Sequence, residues 1–321
     1  MAKWRGSSDI NGMTLEQLKI FVAVAEREHV TRAAEALNLA QSAASAAIAA
    51  LEGRHGTKLF HRVGRRIELT EAGRVFLPEA KAVLARAEAA ELALAELGDL
   101  KRGVLNLAAS QTIASYWLPR HLVSFRSDHP GIDIRLTIGN TSHALRAVYD
   151  GLVEIGFVEG AVDHPGLISQ PVARDSMVIV VAPGHPWARR GAISSDELCA
   201  ADWVLREQGS GTRSVLEQAL LAQHITLDQL HVALELPSNE AVRAAVEAGM
   251  GATAISASVA APSIEAGLLH LVGYTLPDRA FCAVRHAERQ GSWAGRALLA
   301  VLSPAPGPRA PSRNSGRMVQ S

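Results

Sequence analysis

The chain has 321 residues, 48% of them hydrophobic, which is enough for two or three compact cores, and its acids and bases balance at 32 each. That balance excludes a general affinity for polyanions and leaves local clusters as the only route to nucleic acid. No apolar run approaches the ~20 residues needed to cross a bilayer, and residues 1–12 lack the apolar segment of a leader, so a cytoplasmic protein with no membrane contact is expected.

Residues 1–12 are expected to form a flexible extension. Leu15, Leu18, Phe21, Val22 and Ala25 then recur at helical spacing and predict an amphipathic helix over 15–27. A second, short helix takes Thr31 as its N-cap and turns Ala33, Ala34 and Leu37 inward. Asn38-Leu39 makes a turn. A third helix runs from about Gln41 to Glu52 with Ala44, Ile48 and Leu51 inside and Gln41, Ser42, Ser45 and Ala49 outside. Three helices with a tight turn between the last two describe a helix-turn-helix, whose third helix enters the DNA major groove by its N-terminal end.

Arg54, Lys58, Arg62, Arg65 and Arg66 follow, with no carboxylate between Arg54 and Ile67. Val63-Gly64-Arg65 is the tip of a hairpin between Leu59-Phe60 and Ile67-Leu69, so the segment forms a basic wing and closes a DNA-binding unit over 13–70. From Thr70, a good N-cap, a long helix runs to about Leu97 and accounts for 71–98. Along it Phe76, Ala80, Val83, Ala87, Ala90, Leu94 and Leu97 alternate steps of four and three, a heptad seam whose economical partner is the same helix of a second copy.

Beyond Asp99 the apolar runs "GVLNLAAS", "IDIRLTIG", "VEIGFVEG", "MVIVVAPG", "WVLRE", "HVALELP", "GATAIS" and "AFCAVRH" alternate with helical stretches, the pattern of a parallel or mixed α/β fold over 99–302. The tail, 303–321, is rich in Pro, Ser, Gly and Arg and is expected to be disordered.

With its pieces in this order the chain resembles the LysR-type transcriptional regulators over roughly residues 13–302, through "LEQLKIFVAVAE", "TRAAEALNLAQSAASAAIAALE", "LFHRVGRRIELTEAG" and the spacing between them. The resemblance implies an N-terminal winged helix-turn-helix, a long linker helix, and a two-lobed effector-binding domain like that of periplasmic solute-binding proteins. Lobe I would hold about 99–180 and 271–302, and lobe II about 181–270. It also implies a homodimer built through the linker helices, commonly a homotetramer, on palindromic half-sites in double-stranded promoter DNA, with contact to RNA polymerase and no cofactor or metal.

By position, Thr31, Arg32, Gln41, Ser42, Ser45 and Arg54 would approach the DNA from the helices, and Arg62, Arg65 and Arg66 from the wing. Two departures stand out. Ala40 sits where the family usually has a Ser or Thr cap, and Ala46 where a long polar residue is frequent, so more of the affinity is expected from the wing than from the reading helix.

Effector ligands would lie between the lobes, at strand ends and helix N-termini, where free N–H groups and the helix dipole favour anions. "LAASQTIAS" offers Ser110, Gln111 and Thr112 there. "REQGSGTRSVLEQAL" offers Arg206, Gly209, Ser210, Gly211, Thr212 and Arg213, without the lysine and spacing of a nucleotide P-loop. Asn140 and Thr141 form a third lip. The "SQT" and "GSGTR" segments resemble the branch of the family that regulates sulphur assimilation or carbon fixation, so the expected effector is a small oxyanion such as sulfite or sulfate, or a phosphorylated or carboxylated metabolite.

Catalysis is not expected: the twelve histidines form no H-E-x-x-H pair, and no G-x-S-x-G elbow occurs. The alternatives are a small-molecule-binding protein without direct promoter control, and a redox-sensing regulator acting through Cys199 and Cys282. Those two cysteines stand outside any C-x-x-C pattern and read as buried apolar residues.

Overall fold

A computed structural model describes residues 12–63, 66–96 and 103–302. The extension over 1–11, the wing-tip residues Gly64 and Arg65, Leu97 and the tail lie outside the described residues.

The chain opens with α1 (Leu15–Arg27), started by a reciprocal capping box between Thr14 and Gln17. Next come α2 (Val30–Ala36) and α3 (Gln41–His55). The N-cap of α2 is His29, whose ring accepts from the Arg32 N–H. This corrects the expectation for Thr31, which lies inside the first turn, exposed. The reason is that Glu28 takes the left-handed conformation (φ 49°) and turns the chain back into helix at once. Asn38 makes the helix-helix turn at φ 55°, a conformation asparagine tolerates better than most residues. Ala33, Ala34, Ala44 and Ile48 close on Ile20 and Val24 to form a small core.

The wing is an antiparallel pair, β1 (Phe60–Val63) and β2 (Arg66–Leu69), with Val63 opposite Arg66. Val63 is thus the last strand residue, and only Gly64 and Arg65 lie between the strands. The helix α4 (Glu71–Glu96) starts where the Gly73 N–H donates to Thr70 Oγ1 at 3.0 Å, as the capping reading expects.

Its seam divides. The Phe76 ring lies 5.0 Å from Phe21, and Ala80 is 1% exposed. These first two positions therefore pack on α1 of the same chain, a correction to their reading as dimer contacts: the open side of α1 needs a cover, and the start of α4 supplies it. Val83 and Ala90 are exposed and Ala87 is half-buried; the Leu94 side chain and Leu97 lie outside the described residues.

The remaining residues build two α/β lobes. Lobe I comprises β3 (Gly103–Ser110), a π-helical turn (Ile113–Trp117) leading into α5 (Leu118–Asp128), β4 (Ile132–Gly139), α6 (Thr141–Asp150), β5 (Ile155–Glu159) and β6 (Leu167–Asp175). The chain crosses at Ser176 into lobe II: β7 (Met177–Val181), α7 (Ser195–Ala200), β8 (Asp202–Arg206), α8 (Gly211–Leu221), β9 (His231–Leu236), α9 (Asn239–Glu247), β10 (Ala252–Ser256), α10 (Ala257–Glu265) and β11 (His270–Leu271). It returns to lobe I for β12 (Arg279–His286) and α11 (Trp293–Leu302).

The lobe I sheet runs β4-β3-β5-β12-β6, with β12 antiparallel to both of its neighbours. The lobe II sheet runs β11-β7-β10-β8-β9. Because β7 pairs antiparallel with β10 from Met177 opposite Ser256, the first crossing lies a few residues before the expected boundary near 180. Both sheets are covered on both faces. In lobe I, Leu105, Phe157 and Leu298 fill one side and Val148, Val158 and Val284 the other. In lobe II, Trp203 and Leu216 oppose Val204 and Val242.

Candidate functional site

Two polar surfaces stand out, one at each end of the chain. On the winged unit, α3 buries Ala44, Ile48 and Leu51 and presents Gln41, Ser42, Ala46 and Ala49 to solvent. Ser45 is half-buried and accepts a hydrogen bond from Gln41 Nε2 at 2.9 Å, so these two side chains hold one another. Ala40 supplies no side-chain cap, which leaves the first N–H groups of α3 without a side-chain partner from that position. Thr31 and Arg32 are exposed on α2, and Arg54 reaches back toward Gln17 Oε1 at 3.5 Å.

The wing register puts its arginines on opposite faces. Arg62 pairs with Ile67, on the face of Phe60 and Leu69, whereas Arg66 pairs with Val63, on the face of His61 and Glu68. Both are exposed.

Lys58, read as part of the basic wing, instead pairs with Glu52 at 2.7 Å. Glu52 is 7% exposed and also accepts the N–H groups of Leu59 at 2.9 Å and Phe60 at 3.2 Å. Burial pushes its carboxyl pKa up, but the hydrogen bonds from Lys58, Leu59 and Phe60 outweigh burial and hold it below the ordinary glutamate value. This carboxylate fixes the start of the wing to the end of the reading helix. It went unnoticed in the sequence because it reads as one more exposed helix acid.

The second surface is the junction of the lobes, where a cluster of polar side chains is almost wholly removed from water. Ser110, Thr112, Glu159, Asp175, Arg206, Ser210, Thr212, Asn239, Ser256 and Arg279 are each between 1% and 7% exposed. Five of the eleven residues expected to meet an effector, Gln111, Thr112, Asn140, Gly209 and Thr212, are here already bonded across the gap. Gln111 of lobe I donates to Pro237 O at 3.2 Å and accepts the Asn239 N–H at 3.0 Å. Thr112 Oγ1 accepts from Asn239 Nδ2 at 3.1 Å. Asn140 Nδ2 donates to Glu207 Oε1 at 3.1 Å, and the Ser142 N–H to Gly209 O at 3.1 Å. Gly209 turns at φ 86°, a conformation that favours glycine.

The arginines are spent too. Arg206 grips Glu207 through Nε at 2.8 Å and Nη2 at 3.0 Å and also bonds Asn239 Oδ1. Burial raises the Glu207 pKa, and the bonds from Arg206 and Asn140 more than reverse that, so its carboxyl sits below the ordinary value. Arg213 is placed differently from expectation. Its guanidinium pairs with Glu217 at 2.7 Å and with Glu235 of β9, so lobe II's own carboxylates take it up. The i to i+4 spacing on α8 brings Glu217 beneath it.

The residues missed in the sequence are the ones at the crossings. Arg279, first in β12, holds Asp175, last in β6, at 2.8 Å, while Ser256 donates to the other Asp175 oxygen at 2.7 Å. The same guanidinium reaches Thr212 Oγ1 at 3.2 Å, Thr112 Oγ1 at 3.5 Å and Glu159 at 3.8 Å. Asn239 could have been found by the rule that found Ser110 and Thr112, since "ELPSNEAV" is also a strand end followed by a helix start. Cys199 packs in lobe II and Cys282 in the lobe I core, so the two thiols belong to different hydrophobic clusters. Among the described residues no group of His, Cys, Asp and Glu could hold a metal, and no helix is long and apolar enough to cross a membrane.

Comparison with known proteins bears on both surfaces. A family model described as the bacterial regulatory helix-turn-helix protein, lysR family, matches residues 15–74, and one described as the LysR substrate binding domain matches residues 98–305. The chain is 38% identical to the uncharacterized HTH-type transcriptional regulator YeiE of Escherichia coli K12 across 92% of this chain and 99% of that one. Its fold is similar to that of full-length CbnR in complex with its target DNA (TM-score 0.65, 24% identity, 90% of this chain and 97% of that one). It is also similar to the regulatory domain of Synechocystis PCC6803 CcmR in complex with 2-PG (TM-score 0.57, 26% identity, 63% and 96%).

Proposed function

The chain belongs to the LysR family of transcriptional regulators, and on that premise we propose that it binds promoter DNA through α3 and the wing and senses a small anionic metabolite at the lobe junction. The observation that carries the proposal is the polar cluster between two lobes joined to an exposed winged helix-turn-helix: buried polar groups need hydrogen-bond partners, and here they gather at a seam between lobes, where one partner can be exchanged for another.

On the DNA side, the N-terminal turn of α3 meets base edges and phosphates through Gln41, Ser42 and Ser45, assisted by Thr31, Arg32 and Arg54. The wing enters an adjacent minor groove. Arginines on opposite faces of a two-stranded ribbon meet the two phosphate walls of a groove together, which a ribbon lying flat on the duplex cannot achieve.

At the junction, Ser110, Gln111, Thr112, Asn140, Thr141, Arg206, Gly209, Ser210, Gly211 and Thr212 hold a small oxyanion or a phosphorylated or carboxylated metabolite. The CcmR regulatory domain with its bound 2-PG supports a small ligand for this fold. Val83, Ala87 and Ala90 of α4 form the seam of a homodimer, which assembles further to a tetramer, meets palindromic half-sites in the cytoplasm and contacts RNA polymerase. Effector binding shifts the balance between lobe arrangements and so the spacing of the paired winged units; the protein acts as a regulator and not as a catalyst.

The test is anisotropy of labelled promoter fragments with purified full-length protein, titrated with sulfite, sulfate and phosphorylated or carboxylated metabolites. DNA affinity that changes with one of these anions is the expected result. An affinity unmoved by every anion, alongside calorimetric binding of uncharged ligands alone, would overturn the effector class.

A further inference from the structure

We propose that Glu159 is a built-in competitor for the anionic effector: its carboxylate occupies the N-terminus of α8, and the effector must displace it. The proposal rests on the reading of the lobe junction as an anion site and deepens it.

The N-terminus of α8 is where lobe II offers most to an anion. The helix is eleven residues long, its N-cap Ser210 makes no side-chain cap bond, and its first N–H groups and dipole point into the junction. What lies against it belongs to lobe I. A Cβ placed on Gly211 would fall 2.9 Å from Glu159 Oε2 and 2.7 Å from Thr141 Oγ1, so only glycine lets the carboxylate and the hydroxyl settle on the first turn. Glu159 is the last residue of β5, its side chain is 2% exposed, and it accepts from Thr141 Oγ1 at 2.7 Å.

Charge arithmetic gives the consequence. The junction gathers two arginines, Arg206 and Arg279, and three carboxylates, Glu159, Asp175 and Glu207. An arriving anion would add a further negative charge to a site with no spare cation, in surroundings where water cannot screen it. One carboxylate must give way. Asp175 is held at 2.8 Å by Arg279 and at 2.7 Å by Ser256, and Glu207 is gripped by both ends of the Arg206 guanidinium. Glu159 has one hydroxyl at 2.7 Å and an arginine no nearer than 3.8 Å, which makes it the most weakly held of the three. Nearby, at the same edge of the sheet, β3 ends in Ser110, 2% exposed and with no hydrogen-bond partner for its hydroxyl. That spare donor at the strand end is open to a ligand oxygen.

Displacement also has a mechanical side. While Glu159 of lobe I sits on α8 of lobe II, the chain holds its own lobes together; an anion in its place transfers that hold to a molecule whose concentration varies.

The test is calorimetry of sulfate, sulfite and inorganic phosphate binding to full-length wild type, Glu159→Gln and Glu159→Asp, with thermal melts as a check on folding. If Glu159 competes, Glu159→Gln binds the anion at least tenfold more tightly than wild type. Glu159→Asp, which keeps the charge but withdraws it by a methylene, falls between and serves where the glutamine variant does not fold. Equal or weaker binding in both variants overturns the competitor while leaving the anion site standing, provided Thr112→Val weakens binding in each. No binding of any of these anions to any of the proteins overturns both.

Discussion

The winged unit and the lobe junction use similar side chains in opposite ways. On the wing, Arg62 and Arg66 are exposed and have no ion-pair partner among the described residues, which fits the proposed contact with DNA phosphates. At the junction, Arg206 and Arg279 are 4% exposed, and each is matched inside the chain. A cation can wait in water for its partner, but not in a protein interior, where an unpaired charge costs several kcal/mol. On the proposed reading, the free arginines face a polyanion and the internally paired ones belong to a network whose partners an effector would exchange.

The sharpest way to break this contrast is to remove a paired cation. Arg279→Met strands Asp175 and Glu159 in the interior and is expected to destabilise the effector domain by about 3–5 kcal/mol. Tryptophan fluorescence reports this unfolding, since four of the five tryptophans, Trp117, Trp187, Trp203 and Trp293, lie in that domain. A loss below about 1 kcal/mol would mean the network is ornamental.

Next in size is the exception on the DNA side, the buried Glu52. Glu52→Ala leaves the Leu59 and Phe60 N–H groups without their acceptor and should cost the winged unit about 2–3 kcal/mol, measured by circular dichroism in urea. Its pH dependence has a definite sign. A carboxyl held below its ordinary value stabilises the fold above that value and loses the contribution as pH falls through its folded value. Wild type should therefore lose stability on acidification, and Glu52→Gln should lose much less.

Smaller effects separate binding from stability. Arg62→Ala, Arg65→Ala and Arg66→Ala should each weaken DNA binding for all sequences alike and lower the salt dependence by about one unit of slope. Their unfolding free energies should stay within about 0.5 kcal/mol of wild type. An unchanged slope for Arg62 or Arg66 would place that face of the ribbon off the DNA. The smallest effect on binding should be that of Arg213→Ala, which breaks two partly exposed ion pairs; anion affinity is expected within twofold of wild type, with about 0.5–1 kcal/mol of stability lost. A large loss of anion affinity there would return Arg213 to the site.

Sequence alone carried the three-helix unit, the wing and the apolar strands, because each depends on contacts between residues close in the chain. It did not carry β6, an edge strand whose burial alternates irregularly and which contains Pro171, so neither a continuous apolar run nor a clean period announces it. At the junction, Ser110, Thr112, Asn140 and Thr212 were legible as strand-end and helix-start residues. Asp175 and Arg279 were not, since they lie 104 residues apart and acquire meaning only when the two crossings come side by side. Arg206 was read as an effector contact although Glu207, which it grips, is the next residue: sequence proximity says nothing of whether two side chains curl together. The same limit applies to Phe76 and Ala80, where periodicity gave the stripe and packing decided which helix covers it.

Asp175 and Arg279 face one another in register at the points where the polypeptide leaves lobe I and comes back. Two independent straps would let the halves twist, slide and splay. Pinned to each other, they resist sliding and splaying, so rotation about that pair is the motion expected of the effector domain, and an angle is the form in which a small molecule would report itself.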